Sequence, residues 1–341
     1  MIAQLFSQYY ERAKFPILSI EQREFGAGWR SKIDKRHMSF FTEAEFRHFL
    51  VEESPLYVSH STAYYEKPSA PMGEKGWKGA DLVFDMDGDV TSEASLKPVL
   101  DNTIELRDLL RSDLGIKKML FVFSGNRGFH IHVRDEEFRS LDGDARKAIV
   151  EYVLGKGFDY RLLFNKGSSS LIEGPKPTDR GYRGRFARKA IEMVKDNPSS
   201  IYKGLNGEAG QHFISGIMEG VWSRIKAKEP IERFSAIAKA LEITSIAADG
   251  AVTYDVKKLI RVPNSLHGST GLRVLPMKNL EDFSVSKALA FSEDKVKVRF
   301  TTTFSYETLL GKLAGKEGES QNLPLYVAVF LACQGKAKIE P

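Results

Sequence analysis

The chain is almost free of thiols: Cys333 is its single cysteine in 341 residues. That excludes a disulfide framework and a cysteine-built zinc site, and it fits a reducing compartment. Long apolar runs are missing too. The longest, Leu323–Cys333, is too short to cross a bilayer, so no membrane partner is expected. Met1–Phe6 carries neither a basic nor an extended apolar segment, so no signal peptide is read there and a cytoplasmic location is expected. Internal repeats and low-complexity tracts are absent. Neither charge dominates: the formal net charge of +5 permits a polyanionic partner without requiring one. What remains, 42% hydrophobic and 28% charged residues, fits a globular protein. The length allows one large domain with an insertion, or two domains.

Periodicity divides the chain. Gln4–Lys14 has helical spacing and stops at Pro16. Phe25 to Phe41 reads as a hairpin broken at Gly26 and Gly28. Thr42-Glu43-Ala44-Glu45 is a capping box opening a helix through Leu50. Residues 66–80, rich in Pro, Gly and Lys, read as a loop. Leu96 to Leu114 is an amphipathic helix, Met119–Phe123 and Phe129–Val133 are strands, and Asp144–Leu154 is a helix. Residues 165–185 are loop-like. Helical patterns follow at Gly216–Lys228 and Pro230–Leu241, and alternation returns at Val296–Phe300. The expected organisation is an α/β core over 1–164 and 245–341, with a mainly helical insertion at 165–244.

Chemistry concentrates in Leu82-Val83-Phe84-Asp85-Met86-Asp87. On a strand, residues two apart point to the same side, so the two carboxylates project together with Cα atoms about 6.5 Å apart. Like charges that close repel, and a divalent cation removes the penalty; carboxylate oxygens suit Mg²⁺ or Mn²⁺. The plainer reading is a strand ending in a solvated Asp-Gly turn. Ser124-Gly125-Asn126-Arg127-Gly128, after a strand, gathers backbone N–H groups, a hydroxyl and a guanidinium, which is a phosphate cradle. His130 opens the next strand with its ring available to donate to phosphate, while His132 reads as a satisfied strand histidine. Asp249 and Asp255 are both candidate third carboxylates, and Arg261 and His267 can meet a triphosphate. Between 175 and 189, Lys176, Arg180, Arg183, Arg185, Arg188 and Lys189 face one acid, Asp179, with Tyr182 and Phe186 interleaved. Charge plus stacking rings suits single-stranded nucleic acid; a solvated basic loop and helix start is the plainer alternative.

Three of these runs stand in order: Asp85-x-Asp87, Ser124-Gly-x-Arg127-Gly-x-His130, and Leu259-Ile-Arg261-x-Pro-x-Ser265-Leu-His267-Gly-x-Thr-Gly271. Together with Tyr9-Tyr10, Phe15-Pro16, Arg23-Glu24-Phe25 and Arg36 before Ser39-Phe40, they resemble the catalytic small subunit of archaeal and eukaryotic DNA primase, most closely its archaeal form. The resemblance spans roughly residues 5–275. It implies the primase–polymerase α/β fold, a mixed sheet flanked by helices with a helical subdomain inserted. It also implies metal-dependent synthesis of short RNA primers on single-stranded DNA, with DNA primers also open. Asp85, Asp87 and Asp249 match the catalytic metal-binding aspartates, with Asp255 second choice for the third. Ser124, Arg127, His130, Arg261 and His267 match the nucleotide-binding set, and Arg36 resembles a residue facing the same site. The implied cofactors are Mg²⁺ or Mn²⁺. The implied partners are a larger iron–sulfur subunit in a heterodimer, the template strand and nucleoside triphosphates.

Two departures stand out. The family usually carries a zinc knuckle between its first two motifs, but residues 88–123 hold neither Cys nor His, so no structural zinc is expected there. Asn126 stands where eukaryotic members carry an arginine. Among rival readings, Phe84-Asp-Met-Asp-Gly88 mimics the nucleophile strand of a haloacid-dehalogenase-type phosphatase. That reading leaves the later two motifs unexplained. A non-catalytic single-strand binder has no use for the carboxylates, and a repair-type primase–polymerase remains a neighbour within the same family.

Overall fold

A computed structural model describes residues 1–166, 171–201, 205–223, 231, 234, 235, 237, 238 and 250–340. The chain opens with helix α1 (Ile2–Arg12), strands β1 (Phe25–Gly28) and β2 (Lys35–Met38), helix α2 (Glu43–Glu53) and strand β3 (Tyr57–Ser61). Then come β4 (Ala63–Tyr65), β5 (Trp77–Ala80), β6 (Leu82–Asp87), α3 (Glu93–Leu114), β7 (Met119–Phe123), β8 (Gly128–Val133) and α4 (Gly143–Val153). The next stretch holds β9 (Asn165–Lys166), β10 (Ile172–Glu173), α5 (Gly181–Asp196), α6 (Glu208–Glu219) and α7 (Gly250–Tyr254). The rest contributes β11 (Leu259–Arg261), β12 (Leu275–Met277), β13 (Lys295–Phe300), β14 (Phe304–Thr308), β15 (Gly311–Gly315), β16 (Ser320–Pro324), α8 (Leu325–Cys333) and β17 (Ala337–Ile339).

Local chemistry explains several boundaries. The Thr42 hydroxyl accepts the N–H of Glu45 at 3.1 Å, and the Glu45 carboxylate reaches back to the N–H of Phe41 at 2.9 Å. One orphan N–H of α2 and the N–H just before its cap are thus satisfied. Helix α6 stops at Gly220, not near Lys228 as the periodicity suggests. Gly220 takes φ +82°, and the N–H groups of Gly220 and Val221 turn back to the carbonyls of Ile217 and Gly216. A left-handed glycine of this kind caps a helix whatever the pattern beyond it. Residues 224–230 and most of the Pro230–Leu241 pattern lie outside the described residues.

Two compact units make up the chain. The first comprises Met1–Arg107, Ile116–Val150 and Ala247–Pro341, and the second Asp108–Gly115 and Glu151–Ile246. In the first unit, four-stranded sheets run β11-β3-β1-β2 and β12-β7-β8-β6, and a three-stranded sheet runs β16-β13-β17. Every strand pair among the described residues is antiparallel, so the expected mixed sheet is corrected to antiparallel sheets with helices. Short connections join several of these strands as hairpins, which antiparallel pairing permits and parallel pairing does not. The loop expected over 66–80 ends instead in β5, paired with β4. The long apolar stretch near the end of the chain is split between β16 and the buried helix α8.

The β12-β7-β8-β6 sheet is two-faced. Phe84 and Met86 of β6, Phe121 and Phe123 of β7, and Phe129 and Ile131 of β8 alternate onto one face and are buried. Phe283 closes it, 4.9 Å from Phe123 and 5.0 Å from Phe129 between ring centroids. Each such ring contributes about 1.5–3 kcal/mol on burial. The opposite face carries Asp85, Asp87, His130 and His132. In the second unit, Phe164, Phe186, Phe213, Trp222 and Phe234 form an aromatic cluster, with Tyr182 beside it. Tyr182 is 5% and Phe186 1% exposed. The stacking role considered for these two rings is therefore corrected: they are core, held at helical spacing on the inward face of α5.

Candidate active site

The register of β6 on β8 sets the site. Asp85 lies opposite His130 and Asp87 opposite Gly128. Because Asp85 and Asp87 share a strand face, both carboxylates leave the same side of the sheet. The absence of a side chain at residue 128 is required: a Cβ there would fall 2.1 Å from the carbonyl oxygen of Met86 and 2.3 Å from Oδ1 of Asp87. The turn before Gly128 is closed by Ser124, whose N–H donates to the Gly128 carbonyl at 2.9 Å while its hydroxyl accepts the Gly128 N–H at 3.2 Å. Ser124 thus shapes the turn, whereas Arg127 at its tip is exposed.

The loop after β11 clasps that turn. The Thr270 hydroxyl donates to the carbonyl of Gly125 at 2.6 Å. Gly125 has φ +81°, and a Cβ on it would sit 2.7 Å from the Cβ of His267. Glycine is needed at 125 for both reasons. His267 is thereby pressed against the turn. Its Nδ1 accepts the N–H of Ser269 at 3.2 Å, so the proton of the neutral ring resides on Nε2. The Tyr57 ring stands edge-on to it at 6.0 Å, with the Tyr57 hydroxyl 2.8 Å from that of Ser269.

Electrostatics tie these groups to one another. Asp87 is exposed at the strand end, yet partial desolvation by its neighbours raises its carboxyl above the ordinary range, and the Asp85 charge raises it further; His130, Arg127 and Arg261 pull it down. Arg261 loses basicity to burial and regains some from Asp85 and Asp87. His130 is pushed down to about 3, by burial first and by Arg261 second. His267 falls well below its usual value through burial, then through Arg261, Lys32 and Arg127. Both rings are therefore neutral N–H donors near neutral pH, not cations. The Nε2 of His130 lies 3.5 Å from Oδ1 of Asp85.

Asp85, Asp87, Ser124, Arg127, His130, Arg261 and His267 are thus brought together. Arg36 is tied elsewhere: its Nε donates to Oε1 of buried Glu24 at 2.9 Å, and Lys75 Nζ lies 3.5 Å from the other oxygen of Glu24. Asp249 lies outside the described residues. Asp255 is exposed, and its Oδ1 accepts the N–H of Lys257 at 2.9 Å, which caps its own turn. Lys32, Tyr57 and Thr270 complete the surroundings of His267. Lys32 and Tyr57 carry no local signal in the sequence, because their part depends on strands far apart in the chain.

The donor set fits a divalent cation. Two carboxylates are held on one strand end in surroundings that penalise their joint ionisation, and hard oxygen ligands are what Mg²⁺ and Mn²⁺ take. Among the described residues, no group of three or more His, Cys, Asp or Glu is arranged to hold a metal ion, and none of their helices is long and apolar enough to cross a membrane.

The sequence pattern of the DNA primase small subunit family matches residues 84–279, the stretch that contains all three motifs. The DNA primase small subunit PriS of Pyrobaculum islandicum is 34% identical over 360 residues, covering 99% of each chain. That of Methanococcoides burtonii is 32% identical over 379 residues, covering 98% of this chain and 97% of its own. A solved structure, the polymerase domain from Mycobacterium tuberculosis ligase D in complex with DNA, overlaps 84% of this chain and 87% of its own, with a TM-score of 0.39 and 14% identity. Matched end to end by such relatives, and in its central part by the family pattern, the chain belongs to the DNA primase small subunit family: it is the catalytic subunit of a DNA primase, a DNA-directed nucleotidyltransferase.

Proposed function

We propose that the Asp85–Asp87 site joins nucleoside triphosphates into short RNA primers on a single-stranded DNA template. The observation that carries this reading is the carboxylate pair on one strand end, with Arg127, Arg261 and His130 acting on it and His267 beside those groups. The 3′-oxygen of the growing strand attacks the α-phosphorus, the bond to the bridging oxygen breaks, and pyrophosphate leaves. Bound Mg²⁺ or Mn²⁺ would stabilise the attacking and leaving oxygens. Asp85 and Asp87 hold the ions, with Asp249 as third carboxylate. Arg127 and Arg261 offset charge on the β- and γ-phosphates, and His130 and His267 donate Nε2–H to phosphate oxygens. Neutral donors suit this task, since they orient the tail without binding pyrophosphate too tightly to release. Ser124 keeps the turn in shape and donates its hydroxyl proton to phosphate, and Arg36, once released from Glu24, adds a further contact to the nucleotide. Catalysis then rests on positioning and electrostatics.

The same reading makes the architecture a primase–polymerase fold with 165–244 inserted. The basic side chains of 176–189 track the template backbone. A larger iron–sulfur subunit completes a cytoplasmic heterodimer, and no zinc is held within 88–123. Convergence of Arg261 on the carboxylates, with His267 beside Arg261, favours this over the phosphatase reading, which has no task for them. The test is primer synthesis on an oligonucleotide template by Asp85→Asn and Asp87→Asn. Both variants should keep the wild-type circular dichroism spectrum and lose activity; near wild-type synthesis by either removes the assignment.

A further inference from the structure

Behind the carboxylate pair lies a row of three buried histidines. His130 and His132 are two apart on β8, so they share a face, and their ring centroids are 6.0 Å apart. His132 in turn stacks on His60 of β3 at 6.4 Å and 28°. They are 1%, 3% and 4% exposed, in the order His130, His132, His60. So little access to water disfavours the charged imidazolium in all three. His60 is anchored, with Nδ1 2.9 Å from the carbonyl of Ser61. His130 directs Nε2 at Asp85, so its Nδ1 points the other way. That Nδ1, and Nε2 of the neighbouring His132, are buried and find no hydrogen-bond partner among the described residues.

A neutral imidazole carries one proton on two nitrogens, and the hydrogen bond at one nitrogen decides which of them holds it. With the proton on Nδ1, the Nε2 lone pair of His130 would face the Asp85 carboxylate and repel it. With the proton on Nε2, Nδ1 needs a donor, or a buried acceptor is left unmatched. Nε2 of His132, on the adjoining ring, has the matching need. Buried waters occupy such places, with two or more polar partners each.

We propose that His132 is a positioning residue: through one buried water, its Nε2–H supplies the hydrogen bond that Nδ1 of His130 accepts, which locks the proton of His130 on Nε2, facing the reaction. His60, stacked on the far side, fixes the plane of the His132 ring. The functional consequence rests on the proposed contact of His130 with nucleotide phosphate, since only the Nε2–H form donates there.

The experiment is ¹⁵N–¹H long-range NMR of the histidine rings in the full chain, beside steady-state incorporation kinetics. His130 in the wild type should be a single Nε2–H tautomer. In His132→Leu an Nδ1–H fraction should appear beside the Nε2–H form that Asp85 still favours, and KM for nucleotide should rise about two- to tenfold, the span of one neutral hydrogen bond, with kcat changed less. His132→Gln, which keeps a donor, should restore both readings, and His132→Phe, which keeps the ring volume, should behave as His132→Leu if the leucine variant fails to fold. A His130 ring that stays wholly Nε2–H in the folded Leu or Phe variant overturns the proposal. A tautomer shift without a change in KM supports the positioning role and instead removes His130 from the nucleotide site.

Discussion

Substituting alanine for Gly128 adds one methyl group at the point where β8 passes the metal-binding end of β6. The backbone conformation of Gly128 does not need glycine, because its φ is not positive. The effect is therefore one of contact alone. The new Cβ would stand 2.1 Å from the Met86 carbonyl oxygen, 2.3 Å from Asp87 Oδ1 and 3.0 Å from Asp87 Cα. Two of these are backbone atoms and cannot swing aside. Restoring an ordinary separation means parting the strands by about 1 Å at the Asp87–Gly128 pair. Overpacking of this kind costs about 1–3 kcal/mol of stability. The larger effect is on chemistry, since a displacement of about 1 Å in a reacting group can cost about a hundredfold in rate. The assay is nucleotide incorporation on an oligonucleotide template, with thermal unfolding measured in parallel. Gly143→Ala is the control: its Cβ would meet nothing nearer than the Tyr254 carbonyl oxygen at 3.9 Å, so stability and rate should hold. Wild-type incorporation by Gly128→Ala would falsify the claim that close strand approach sets the Asp87 carboxylate.

Acid should destabilise the protein through its buried imidazoles. Unfolded histidine titrates near pH 6.5, whereas His60 and His130 are held down to about 3, so the unfolded chain takes up protons first as pH falls. Stability is then full above about pH 6.5 and drains toward pH 3; by pH 5 each ring costs about 2 kcal/mol, which urea unfolding at pH 7.5 and 5 measures and a flat profile contradicts. Arg127→Ala should lower catalytic efficiency about ten- to a hundredfold, the worth of a charge-assisted hydrogen bond of about 1.5–3 kcal/mol, and leave single-strand affinity unchanged. Arg188→Ala and Lys189→Ala should do the reverse, each reducing the salt slope of strand binding by about one; a change in nucleotide KM instead would move 176–189 into the catalytic site. Asp249→Asn should abolish incorporation and Asp255→Asn should not, and an inactive Asp255→Asn would reassign the third carboxylate.

What could be read from the sequence was local. The capping box at Thr42, the amphipathic helix after Asp87, the alternating strands and the shared side of Asp85 and Asp87 all follow from periods of 3.6 and 2 within a few residues. Motif order brought Arg127, His130, Arg261 and His267 to the same site before any coordinate did. The misreadings were local patterns overruled by distant ones. Tyr182 and Phe186 look like stacking rings beside arginines, yet they face the core because α5 needed an apolar side to pack on. Helix α6 ends at Gly220 because a left-handed cap outweighs apolar spacing beyond it. Strand direction depends on which segments pair across the sheet, so the antiparallel order was not legible in any one of them. Tertiary structure alone decided the state of the site. His130 and His267 are neutral because strands and loops far apart in the chain bury them beside Arg261, and at His130 desolvation outweighs the neighbouring Asp87. Gly125 and Gly128 look like ordinary turn glycines until Met86, Asp87 and His267 fill the space where their side chains would stand.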